Sequence, residues 1–327
     1  MSDLTTKYLG LTLKNPFIVS ASPMTAYVPK VKQLEDHGAA AVVLPSLFEE
    51  QIELQNLGPF YARDKLPAEL QHIPEMRGYN QGASGYLAHI YQVKRVVQIP
   101  VIASLNGYYS GGWVQYARLI EAAGADALEL NIFYLPTRPD ISSGEIEEMY
   151  LRLVEDVKKS IKIPVAVKIS PYFTAMASMA QRLEKSGANG LVLFNRFYQP
   201  DIDLDSQDVI NSLELSRSSE LRLRLRWTAV LSSFLNCDIA ITGGVHTAAD
   251  IFKSMLAGAK VVEAASVLIA QGLDRLPDLL QEFAQMLDEA DVSSVQEIQG
   301  KLSQKNVSDP AAYARANYME VLKSLDP

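Results

Sequence analysis

The chain has one cysteine, Cys237, among its 327 residues. That scarcity excludes an intrachain disulfide, a CxxC redox pair, an iron–sulfur cluster and a thiolate zinc site. Histidine is almost as rare: His37, His72, His89 and His246 are scattered without metal-ligand spacing, so no metal centre is expected. Long apolar runs are missing too, and none approaches the ~20 residues of a membrane-spanning helix. The N-terminal MSDLTTKYLG lacks both the basic segment and the apolar core of a secretory signal, which points to the cytoplasm. Positive charge is in deficit, 30 Lys and Arg against 38 Asp and Glu, for a net charge of −8. Such a surface does not favour nucleic acid or an anionic membrane, so the expected partner is a small molecule. These absences together leave a globular protein that uses a cofactor other than a metal.

What is present is a repeat of short apolar runs. Eight runs bounded by turn residues predict strands over residues 17–21, 41–44, 101–104, 127–131, 165–169, 190–194, 239–242 and 261–264. Between most of them lie helix-period stretches, at 29–37, 86–97, 112–123, 144–161, 175–186, 220–235 and 247–257. Four strands are introduced by a Gly-Ala pair, in HGAAAVV, AGADALEL, SGANGLVL and AGAKVVEA, where glycine suits a left-handed helix C-cap. Two others follow Ile-Pro, which stops the preceding helix. Alternating strands and helices with near-continuous apolar strands predict an α/β fold, a (β/α)8 TIM barrel. Residues 4–14 alternate around a glycine and predict an N-terminal β-hairpin closing the barrel's bottom. Long insertions after strands two and six, 48–83 and 196–219, fall on the face where barrel active sites are built. A helical tail from about residue 292, with Ser293 and Ser308 as caps, is expected to pack outside a single domain spanning 1–327.

Residues 239–268, IAITGGVHTAADIFKSMLAGAKVVEAASVL, form a strand–helix–strand unit. Its strands end in Gly243-Gly244 and in Ala264-Ala265-Ser266. Glycine lets backbone N–H groups approach an anion, and a following helix adds its positive dipole end. Paired endings of this kind late in a barrel suit a phosphate, although the glycines also read simply as a turn. Other strand ends carry polar residues: Ser20-Ala21-Ser22-Pro23, Glu129-Leu130-Asn131, Lys168-Ile169-Ser170 and Asn195-Arg196. A lysine inside VAVKIS must be paired with a carboxylate or aimed at a ligand, because a buried ammonium is otherwise costly. Asn131 and Asn195 offer donors and an acceptor to a planar heterocycle, or cap loops.

The set NPFIVSASP, LELNI, VAVKISPYF, LVLFN and the 239–268 unit resembles the dihydroorotate dehydrogenase family, FMN-dependent (β/α)8 barrels, over about residues 4–287. The resemblance is to the class 1 branch, since the membrane-docking extension of class 2 is not seen. It implies FMN held by Ala21, Ser22, Ser46, Asn131, Lys168, Gly243, Gly244, Ala265 and Ser266. It places Lys168 beside flavin N1 and O2, where a cation stabilises the reduced flavin. Asn131 and Asn195 match substrate-binding asparagines, and Asn80, in NQGASG, resembles the asparagine of the family's substrate loop. A homodimer is compatible with class 1 relatives, and the resemblance implies a flavoprotein of pyrimidine metabolism.

The departures fall on substrate chemistry. The class 1 base is a cysteine three positions after the motif asparagine, and Tyr134 stands there in this chain. A phenol with a pKa of about 10 is a weak base at neutral pH, so Tyr134 reads as base, acid or aromatic wall. Cys237 precedes strand seven, at the barrel's other end, and reads as an apolar filler. The family's Lys-Ser at strand two becomes Pro45-Ser46, and the run LRLRLR at 221–226 reads as one arginine-bearing helix side or as a guanidinium brought to an anion.

The expected activity is hydride transfer between flavin N5 and a CH–CH bond of a dihydroorotate-like or other planar substrate, with Tyr134 and Lys168 as the catalytic candidates. The electron acceptor or donor is unidentified and expected to be a separate partner or a diffusible molecule. The rival readings are an FMN-binding barrel with little or no turnover acting as a redox partner protein, and a colourless lyase or isomerase.

Overall fold

Apolar strands buried on both faces need helices outside and small side chains inside, and both are found. The computed structural model describes residues 2–57, 77–108, 110–196 and 198–324. Part of the insertion after the second barrel strand, His72 included, lies outside the described residues. An antiparallel hairpin, β1 (Thr6–Tyr8) and β2 (Leu11–Leu13), precedes the barrel. The following strands are β3 (Phe17–Val19), β4 (Ala41–Val43), β5 (Leu47–Phe48), β6 (Val101–Gly107), β7 (Ala127–Ile132), β8 (Val165–Ile169) and β9 (Gly190–Leu193). An outer hairpin, β10 (Asp201–Asp203) and β11 (Asp208–Ile210), comes before β12 (Asp238–Thr242) and β13 (Val261–Ala264). β13 pairs with β3, β3 with β4 and β4 with β6, all parallel, which closes an eight-stranded ring. The (β/α)8 barrel is therefore as expected, with each of the eight predicted strands in place.

The loop signals worked as predicted. Gly38, Gly124, Gly187 and Gly258 all hold φ between +97° and +114°, the C-cap conformation that stops each helix before a strand. The hairpin also closes the bottom. Ala41, Ala127, Ala166 and Ala240 point inward at that end, and their small side chains leave room for Tyr8, Leu9 and Leu13. The Leu9 N–H donates to Asp238 Oδ2 at 2.8 Å, fixing the plug to β12. The larger apolar core lies between the strands' outer faces and the helices.

Two expectations need amendment. The tail is helical only in short pieces, Val295–Ile298, Pro310–Tyr313 and Ala316–Lys323, with turns between them. Its caps are Ser294 and Asp309, one residue beyond Ser293 and Ser308, because those are the side chains that accept from the next N–H groups. The insertion at 196–219 contains the exposed β10–β11 hairpin, whose apolar Ile202 and Val209 face solvent.

Candidate active site

A cavity of about 360 Å3 opens at the C-terminal ends of the barrel strands, within the ~300–1,000 Å3 usual for ligand sites. Strand alternation decides what reaches it. On β7, Glu129 and Asn131 point inward while Leu128, Leu130 and Ile132 face the helices. The register pairs Asn131 with Lys168 of β8, so the amide and the ammonium lie side by side. Asn195, just beyond β9, donates from Nδ2 to Asn131 Oδ1 at 2.5 Å. Lys168, Asn131 and Asn195 all line the cavity and all are buried.

The two readings of Lys168 prove compatible. Its Nζ lies 3.3 Å from Oε1 of the fully buried Glu129, and it also faces the cavity. Burial works against the ammonium, but the Glu129 and Glu263 carboxylates outweigh it and hold the Lys168 pKa above the ordinary lysine value. Burial, and then the neighbouring Glu129 charge, push the Glu263 carboxyl well above the ordinary carboxylate range.

The opposite edge of the cavity is built from β12 and β13. Gly243, Ala265 and Ser266 line it together with Ser216, whose N–H donates to Ser266 Oγ at 3.2 Å. Gly243 and Gly244 hold φ of +80° and +82°, and a Cβ on Gly244 would stand 2.6 Å from the Leu221 backbone nitrogen. Two helices begin at this edge. Ala248–Ala257 is capped by Thr247 and Asp250 in a capping box, and Ser266–Gln271 starts at the serine itself. Among the alternating arginines, Arg222 and Arg226 are not buried, but Arg224 is. Its Nε donates to the Thr242 carbonyl and its Nη1 to the Glu220 carbonyl at 2.8 Å. The run therefore does not form one solvated side: its middle guanidinium braces the glycine turn from behind.

This donor set fits FMN. Glycines where a Cβ would clash, two helix starts and small residues make an anion cradle. A cation and paired amides about a ring-sized space suit a planar heterocycle.

Of the expected site residues, Ala21, Ser46, Asn131, Lys168, Asn195, Gly243, Ala265 and Ser266 line the cavity. Gly244 sits immediately behind Gly243, packed on Leu221. Ser22 and Asn80 are buried but not on the wall. Asn80 instead supports it, donating from Nδ2 to the Ser46 carbonyl at 2.7 Å. Tyr134 is also off the wall. Its ring lies 4.6 Å from that of Tyr108, and Phe133 occupies the cavity side. Period-two alternation from Asn131 explains this, since Phe133 shares its face and Tyr134 does not. Cys237 lies on the N-terminal side of β12, half-buried, with burial pushing its thiol up to about 12.

Several wall residues escaped the sequence reading, Asn106, Glu263, Tyr79 and Tyr198 among them. Asn106 did so because β6 runs to Gly107, beyond the predicted end at 104. Glu263 was hidden inside an apolar strand. Tyr79 and Tyr198 come from the two insertions, and burial pushes the Tyr79 hydroxyl up to about 12.

Comparison with known proteins gives the family. Residues 3–287 match the family model described as dihydroorotate dehydrogenase. The chain is 28% identical over 307 residues to the "Dihydroorotate dehydrogenase B (NAD(+)), catalytic subunit" of Listeria monocytogenes serotype 4a (strain HCC23), covering 91% of this chain and 98% of that protein. The protein of the same name from Bacillus mycoides (strain KBAB4) is 27% identical over 312 residues, covering 92% and 97%. The chain belongs to the dihydroorotate dehydrogenase family, the FMN-dependent oxidoreductases that act on CH–CH donors.

Proposed function

We propose that this chain is a single-domain, cytoplasmic catalytic unit that binds FMN in the barrel mouth and acts on a CH–CH bond of dihydroorotate or a similar planar, amide-bearing substrate. The observation behind this reading is the meeting of Lys168, the Asn131–Asn195 amide pair and the Gly243/Ser266 edge on one cavity. Gly243, Gly244, Ala265 and Ser266 would hold the phosphate through backbone N–H groups. Ala21, Ser46 and Asn131 would flank the ring system, and Lys168 would keep positive charge beside it. Bound FMN supplies the hydride acceptor or donor at its N5. Asn195 orients the substrate amide, and the pairing of its Nδ2 with Asn131 fixes which of its atoms is free to do so. Phe133 and Phe194 exclude water from the same wall.

Tyr134, off the wall, serves as support behind Phe133 rather than as the proton carrier. A reductive direction is the second reading, favoured by Tyr79: a phenol pushed up to about 12 remains a neutral proton donor on the cavity wall. Electrons leave or enter through a separate protein or a diffusible molecule, as the words "catalytic subunit" in the relatives' names suggest.

The test is an anaerobic titration of the purified protein with dihydroorotate, following the oxidised-flavin band. Prompt bleaching is expected. A yellow protein that stays yellow would retain FMN binding and remove dihydroorotate as substrate.

A further inference from the structure

Two carboxylates and one ammonium meet beneath the cavity floor. Glu129 is fully buried and Glu263 is 1% exposed, and they project from strands on opposite sides of the barrel. Lys168 approaches Glu129 alone, at 3.3 Å through Oε1. The second oxygen of each carboxylate, Oε2, has no hydrogen-bond partner in the protein. Glu263 also lines the cavity, while its unpartnered Oε2 is buried beneath that surface.

The charge count does not balance if both carboxylates are ionised. Among the described lining residues, Arg196 is the other cationic side chain, and it faces Glu220 at 3.8 Å near the rim. Arg224 lies behind Gly243, engaged with the Thr242 and Glu220 carbonyls. The remaining titratable groups around the pair, among the described residues, are Tyr8 from the hairpin plug, Tyr79 from the insertion and Tyr86 from the helix Gly82–Val96, all hydroxyls that burial keeps neutral. A buried carboxylate without a cation takes up a proton instead, and two neighbouring carboxylates share one.

We propose that Glu263 stands as an uncharged carboxylic acid at the cavity floor, sharing its proton with Glu129. Lys168, Glu129 and Glu263 then form an electrically neutral set beneath the bound ring. The floor then offers one donor, the Lys168 ammonium, to an acceptor edge of a planar heterocycle, and presents no net negative charge beside it. An ionised Glu263 would instead oppose the positive charge that Lys168 supplies. The same set makes Glu263 a proton-holding residue next to the site, in a place where the sequence shows only an apolar strand.

The acid is tested without reference to activity. Infrared spectra of the purified protein at neutral pH are compared with those of Glu263→Gln, which keeps shape and a donor but cannot be ionised. The carbonyl band of a protonated carboxylic acid is expected in the wild type and lost in the variant. Identical spectra would overturn the proposal. In Glu129→Gln the surviving Glu263 faces Lys168 alone and ionises, so the band is lost there too, and its persistence would overturn the sharing. A second arm, which rests on the FMN reading above, is the midpoint potential of the bound flavin. Glu263→Gln exchanges one neutral group for another and leaves the potential unchanged at neutral pH. A rise would show that a negative charge had been removed, against the proposal. A protein that binds no FMN but shows the infrared loss would keep the buried acid and overturn the functional reading instead.

Discussion

Gly244→Ala tests whether the glycine turn is shaped by what presses on it. At φ +82° an L-residue is strained whatever its surroundings, at a cost of about 1–2 kcal/mol. The added methyl would also meet fixed backbone: the Leu221 nitrogen at 2.6 Å, its Cα at 3.0 Å and the Glu220 carbonyl carbon at 3.2 Å. None of these can rotate away, so the start of the helix Leu221–Leu231 must shift, and such overpacking costs a further ~1–3 kcal/mol. Gly10→Ala is the control. Its φ is +76°, but a methyl there meets nothing within 4 Å, so only the conformational part remains. Equilibrium denaturation of both variants, at one fixed excess of FMN, should separate them by the overpacking part, about 1–3 kcal/mol, plus the stabilisation by bound FMN that Gly244→Ala loses. Gly244→Ala should also retain less flavin through gel filtration, because the turn that presents N–H groups to the phosphate has moved. Equal losses in the two variants would refute the packing argument.

Lys168→Met strands the single negative charge held by Glu129 and Glu263 without a cation and should cost about 3–5 kcal/mol by denaturation, whereas Lys168→Met with Glu129→Leu should recover most of it. A double variant no more stable than the single would sink the pairing. Tyr134→Phe should change kcat less than twofold in stopped-flow flavin reduction, while loss of a true proton carrier costs about 10²–10⁴-fold. A hundred-fold drop would return Tyr134 to proton transfer. The pH dependence has a definite sign. Glu263 is raised in the folded state, so between its unfolded and folded pKa values the native protein binds more protons than the unfolded chain. Stability should therefore fall as pH rises above the ordinary carboxylate range, and Glu263→Gln should flatten that slope in denaturation series. An unaltered slope would count against a buried neutral Glu263.

The sequence by itself determined the barrel, because its signals are local. Apolar runs set the strands, Gly-Ala pairs set the helix ends at Gly38, Gly124, Gly187 and Gly258, and a buried lysine in VAVKIS marked the site. The phosphate-type edge was legible too, since glycines and a helix start occur together along the chain. Other features depend on which side of a strand a residue faces and on what comes across the barrel. Tyr134 matched a motif position by counting, yet alternation turns it toward Tyr108 and gives Phe133 the cavity. Asn80 supports the wall through the Ser46 carbonyl, and Arg224 braces the glycine turn from a helix. Glu129 and Glu263 are 134 residues apart and look like lapses in apolar strands. Only closure of the barrel brings the two carboxylates to one ammonium, because charges interact through space and the low dielectric inside the ring makes their balance obligatory.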